Sequence, residues 1–100
     1  MRTAIVGSKF PPGGVAALSK LRKGAGLLIV REAENQHDPN AVAVYSRANE
    51  HLGYIPRSMN AELARQIDDG QYFFGVLTDE AIIDRGDIKF APKILITRRE

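Results

Sequence analysis

The chain has 100 residues, 44% of them apolar and 26% charged, with no cysteine and a formal net charge of +2. This is the size and make-up of one globular domain with a single core, which leaves no room for a large catalytic machine. Disulfides, thiolate nucleophiles and cysteine metal sites are excluded, no apolar run is long enough for a membrane span or a secretory signal, and a cytoplasmic location is the expectation.

Ala4-Ile5-Val6 is rich in β-branched residues and stops at Gly7, which predicts a strand leading into a rigid loop at Pro11-Pro12-Gly13-Gly14. Val15, Leu18 and Leu21 recur at helical spacing before Lys23-Gly24-Ala25-Gly26, so only a short helix fits there. Leu27 to Arg31 and Ala41 to Tyr45 read as strands, the second with its residues alternating between two faces. Between them Glu32 to Asn40 is polar and turn-forming, too long for a tight hairpin. Leu52 to Ile55 is a short strand ended by Pro56. Ser58 is placed to cap a helix from Met59 to Asp69, whose Met59, Leu63 and Ile67 share one face and which Gly70 stops. Tyr72 to Leu77 and Ile88 to Thr97 complete the set around a polar Asp79 to Asp87 connection, with Pro92 implying an edge or a bulge. Six short strands and one principal helix predict a compact, mostly β barrel occupying the whole chain as one domain.

Charge is segregated along the chain. Residues 1–31 carry six basic side chains and no acidic one, residues 32–87 carry four basic and eleven acidic, and residues 88–100 carry four basic and one acidic. If the two ends pair in the fold, their cations merge into one positive face suited to a polyanion; otherwise they simply solvate the strands.

The residues give little support for catalysis. His37 and Asp38 are adjacent, but no nucleophile elbow, phosphate-binding loop or metal-ligand spacing accompanies them, so neither a cofactor nor a metal is expected and a metal-dependent hydrolase ranks last. A binding module fits better. Lys9 beside Phe10 pairs a phosphate-neutralising cation with a ring that either stacks on a base or joins the core. Core packing is the default for Phe73, Phe74 and Phe90. Asp38-Pro39-Asn40 builds a turn and leaves the Asp38 carboxylate able to accept from a sugar hydroxyl. Tyr54 and Arg57 at a strand end are either structural or an extension of the positive face. A protein-interaction module using a barrel edge or the acidic Glu62 to Asp69 helix face is the alternative.

Val6-Gly7-Ser8-Lys9-Phe10, Leu28-Ile29-Val30-Arg31-Glu32, the run from Asn35-Gln36-His37-Asp38-Pro39-Asn40 through Val44, and Leu52-Gly53-Tyr54-Ile55-Pro56-Arg57 together resemble the HIRAN domain, over roughly residues 3–97. The resemblance implies an OB-like β-barrel that captures single-stranded DNA by a free 3′-hydroxyl end, as an accessory to a DNA-repair motor. It places Lys9 and Phe10 at the backbone and terminal base, His37 and Asp38 at the terminal sugar, and Phe90 at the position of a late aromatic that completes the pocket. His37 stands where the family has a phenol. Arg31 and Arg57 are candidate phosphate helpers. No motor sequence accompanies the domain here, so no ATPase activity carries over; a separately encoded helicase or nuclease is a possible partner, and RNA a possible ligand.

Overall fold

The structure is a computed structural model and describes residues 1–99. Six strands form one antiparallel sheet in the order β1-β8-β5-β2-β3-β4: β1 (Arg2–Ala4), β2 (Gly26–Arg31), β3 (Val42–Ser46), β4 (His51–Tyr54), β5 (Tyr72–Asp79) and β8 (Lys93–Arg99). These are the six strands expected from the sequence. A further pair, β6 (Ile82–Asp84) and β7 (Asp87–Phe90), forms a separate hairpin that begins in the Asp79 to Asp87 stretch expected to be a plain connection and ends inside the expected last strand. Its turn has Arg85 at φ 54° and Gly86 at φ 79°, the two positive values of a tight hairpin turn. Asn-Gly or Asp-Gly usually signals such a turn, and Arg-Gly does not, which is why pattern reading passes over it.

The hairpin also divides the expected Ile88 to Thr97 strand. Buried Pro92 has no N–H to give a ladder, and its carbonyl accepts from the Ile5 amide at 3.0 Å, so the chain leaves β7 there and enters the main sheet as β8. Similarly, the first strand is Arg2–Ala4 rather than Ala4 to Val6, because Ile5 falls opposite Pro92, which accepts its amide but has no N–H to continue the ladder.

The sheet curls until its ends meet. Val6 and Tyr54 exchange backbone hydrogen bonds at 2.9 and 2.7 Å, one bridge that joins the chain beyond β1 to the edge strand β4. Gly53 makes this approach possible: at φ 153°, a Cβ there would lie 2.5 Å from the Val6 carbonyl oxygen. Inside the curl, Ile5, Leu27, Val42, Val44, Leu52, Ile55, Leu77, Ile94 and Ile96 form the core. Each such side chain contributes about 1.5–3 kcal/mol over remaining in water.

Two helices close the open parts of the half-barrel. Helix α1 (Gly14–Ser19) packs by Ala17 and Leu18 near β4. Helix α2 (Arg57–Asp68) packs Leu63 and Ala64 into the core, with Met59 and Ile67 beside them. The helix begins earlier than its expected start at Met59, and Ser58 is not its cap. Pro56 occupies that position with ψ 143° and no side-chain bond, leaving Ser58 in the first turn. Phe73 packs against the core, whereas Phe74 and Phe90 are 42% and 59% exposed, which corrects the core assignment for those two. Alternation turns Phe74 outward, and Phe90 belongs to the hairpin outside the main sheet.

Candidate nucleic-acid interface

The seam between Val6 and Tyr54 lies in the wall of a cavity of about 690 Å³, to which Phe10, Asn35, His37, Asp38, Arg57 and Asn60 also contribute. The polar loop after β2 builds one side of it. Asn35 shapes this loop: its side-chain oxygen accepts from the backbone amides of His37 at 2.8 Å and Asp38 at 3.0 Å, while its amide nitrogen donates to Glu32 at 3.0 Å. Such a side-chain-stabilised turn explains how a stretch with little apolar content keeps a fixed shape.

Asp38 is held from three sides. Its Oδ1 accepts from the Asn40 amide at 2.9 Å, its Oδ2 accepts from Asn60 Nδ2 at 2.8 Å, and Arg57 Nε lies 3.6 Å from Oδ2. The Asn40 amide first, and Asn60 next, stabilise the carboxylate and hold its pKa below the ordinary 3.8. Each oxygen retains acceptor capacity toward a ligand donor. Arg57 also donates to the His37 carbonyl at 3.1 Å, yet its side chain remains 74% exposed, with most of its cationic surface toward water. Burial, then the nearby Glu32 carboxylate, raises the Tyr54 phenol above 10.0, so this wall residue remains a neutral donor-acceptor at physiological pH.

Phe10 is 81% exposed, which decides between the core and the surface in favour of the surface. Its amide donates to the Gly7 carbonyl, and a Cβ on Gly7 would lie 3.0 Å from the Phe10 ring and 3.6 Å from the Tyr54 ring. Gly7 therefore forms the floor between two aromatic walls. Lys9 points from the same loop to the β6–β7 hairpin, where its ammonium meets Asp87 at 2.7 Å in an exposed pair. An exposed pair of this kind is weak in water and exchanges readily for another anion.

Five of the residues singled out from sequence thus share the cavity wall: Phe10, His37, Asp38, Tyr54 and Arg57. Lys9 stands beside it. Phe90 is on the hairpin that Lys9 contacts, with the Lys89 ammonium 5.8 Å from its ring centre. Arg31 lies elsewhere: its guanidinium donates to the Pro39 and Ala41 carbonyls at 2.7 and 3.0 Å and pairs with Asp68, clamping the back of the loop. Asn35 and Asn60 belong to the site but were not singled out. Asn60 is visible in hindsight as a polar residue on the Leu63–Ile67 stripe of α2, where only 3% of it is exposed. The expected acidic face of α2 is internally compensated, since Glu62 and Asp69 both pair with Arg65.

A curled antiparallel half-barrel with this pocket at its seam is the architecture of OB-like binding domains. The HIRAN domain profile matches residues 1–96, and the chain belongs to that family. Over 69 residues it is 36% identical to the Fanconi-associated nuclease 1 homolog of Arabidopsis thaliana, covering 69% of this chain but only 7% of the nuclease. A crystal structure of a protein from Lactobacillus plantarum superposes with a TM-score of 0.82 at 33% identity, covering 97% of this chain and 89% of that one. The crystal structure of the HIRAN domain of human HLTF gives a TM-score of 0.75 at 18% identity, covering 98% and 73%, which shows the shared fold. No helix among the described residues is long and apolar enough to cross a membrane.

Proposed function

We propose that this chain is a nucleic-acid-binding module that captures a single strand by its free 3′-hydroxyl end, without catalysis. The carrying observation is the Asp38 carboxylate, kept ionised by Asn40 and Asn60 in the wall of a cavity flanked by the exposed Phe10 ring. Family membership supports the coarser reading of a binding domain associated with DNA repair.

A carboxylate repels phosphate but accepts from a hydroxyl. A site that combines it with an aromatic ring and outlying cations therefore suits the part of a DNA sugar–phosphate backbone that has a free hydroxyl donor, its end. In this reading Asp38 accepts from the terminal hydroxyl, Phe10 and His37 stack on the last base, and Lys9 and Arg57 neutralise the phosphates behind it. Lys9 exchanges Asp87 for phosphate on binding. Two or three phosphate contacts give a salt slope of about −1.4 to −2.1 for a single strand.

Fluorescence anisotropy with a labelled ten-nucleotide DNA tests this directly, comparing a 3′-hydroxyl end, a 3′-phosphate end and an end blocked in a hairpin. The expected result is tightest binding to the free hydroxyl, with that preference lost in Asp38→Ala. Equal affinity for all three ends would refute end capture. The same series in RNA decides which sugar is accepted.

A further inference from the structure

Away from the pocket, the outer face of the sheet carries a surface that the core does not use. Facing outward from β5 are Tyr72 at 74% exposure and Phe74 at 42%, and the neighbouring strands add Leu28 at 44% and Leu95 at 36%. The register makes these one surface: Phe74 lies opposite Leu28 on β2 and Thr97 on β8, while Leu95 lies opposite Val76 and Arg2. Aromatic rings displayed two residues apart on a strand form a stacking platform, because each base offers a π-face to them.

Charge says what covers it. Arg99 lies opposite Tyr72, Arg2 opposite Leu95, and Lys93 ends the same outward row of β8. Among the described residues none of these three cations is in an ion pair, and the one carboxylate at an outward position of β1, β8, β5 or β2 is Asp79, at the end beside Lys93. The pairing of the two chain ends has gathered their basic residues here. A second copy of the same cationic face would be repelled, whereas a polyanion with stacking bases is complementary to it.

The platform lies on the same face of the sheet as Tyr54. From Tyr54 in the cavity wall the register runs through Ala43 on β3, which is buried, to the exposed Val30 on β2, and β5 is the next strand. Three strand spacings of about 4.8 Å put β5 roughly 14 Å from Tyr54. A ten-nucleotide strand reaches it even at a stacked spacing of about 3.4 Å per nucleotide, but a dinucleotide held in the pocket does not.

We infer that the outer face of β5 and β8, built on Tyr72, Phe74, Arg2 and Arg99, binds the nucleotides that follow the captured end. The inference rests on the proposed placement of that end in the pocket. The test compares a dinucleotide with a ten-nucleotide DNA, both with free 3′-hydroxyls, against the purified domain. Tyr72→Ala with Phe74→Ala should weaken the longer strand at least about 5-fold, the lower bound for one lost stack, while changing dinucleotide affinity less than about 2-fold. Tyr72→Leu with Phe74→Leu retains apolar bulk and should show the same selective loss if the rings act by stacking, and Arg2→Gln with Arg99→Gln should flatten the salt slope for the longer strand alone.

Unchanged affinity for the longer strand in the leucine pair, with an unfolding transition like that of the parent, overturns the platform and leaves the patch to a protein partner. Equal losses for both ligands overturn it as well, since the effect would then act through the pocket. Failure of end capture is separately visible, as dinucleotide binding that Phe10→Ala and Asp38→Ala do not alter.

Discussion

Asn60 Nδ2 donates to Asp38 Oδ2 at 2.8 Å, joining the first turn of α2 to a loop 22 residues earlier in the chain. This bond places a charged oxygen on the cavity wall and gives the helix a part in the site. Asn60→Ala removes a buried partner of a charged group, and the expected cost is about 1–3 kcal/mol in urea unfolding. Preference for a 3′-hydroxyl over a 3′-phosphate end should fall with it, whereas an Asn60 variant that loses stability but keeps full preference would show that Asp38 does not need this support to recognise an end.

The Asp38 carboxyl has a lower pKa in the fold than its ordinary 3.8, chiefly through the Asn40 amide. A lowered carboxyl contributes stability that is complete above the unfolded value and is lost as pH falls through the folded one. The stability difference between the parent and Asp38→Asn should therefore stay level from pH 7 to about pH 5, then narrow below about pH 4. Thermal unfolding across that range checks the sign.

Phe10 is too exposed to contribute much burial, so Phe10→Ala should leave the melting temperature nearly unchanged. Its binding to a single strand should weaken by about 5-fold or more, the loss of one base stack. A large drop in melting temperature would instead mark the ring as structural.

Arg31, Arg57 and Lys9 should separate by salt dependence. Arg31 spends its donors on two loop carbonyls and Asp68, so Arg31→Ala is expected to cost about 1–2 kcal/mol of stability and leave the salt slope unchanged. Lys9→Ala and Arg57→Ala should each lower the slope by about 0.7 and barely affect unfolding. Binding isotherms at several salt concentrations give the slopes.

Gly53→Ala puts a methyl group 2.5 Å from a backbone oxygen that cannot move without opening the Val6–Tyr54 bridge. The expected destabilisation is at least about 1–3 kcal/mol, read from chemical unfolding.

The main sheet was legible because its strands announce themselves: Ala41 to Tyr45 alternates in sequence, Leu27 to Arg31 is strongly apolar, and Gly or Pro marks most of the ends. The β6–β7 hairpin was not, because Ile82 and Ile83 are its only apolar residues before the turn and Arg85-Gly86 lacks the usual turn signature. Within the site, Phe10, His37 and Asp38 lie in chain segments whose composition drew attention. Asn60 lies in a helix, where a polar residue normally faces water, and only packing of α2 against the loop reveals that it does not. Arg31 shows the converse. As an arginine at a strand end it looks like a phosphate ligand, but the turn at Pro39 brings carbonyls within its reach.

The bridge between Val6 and Tyr54 gives the domain a clasp, and the cavity lies across it. Val6 arrives from the start of the chain and Tyr54 from its middle, so the side of the pocket facing the loop after β2 is complete only when this edge of the sheet has closed. Recognition and barrel closure are then one equilibrium: a ligand touching both sides pins the clasp shut, and whatever pulls the first residues away from β4 empties the site. The Val6 and Tyr54 amides are natural reporters of that event, because hydrogen exchange there counts the openings that a bound strand would suppress.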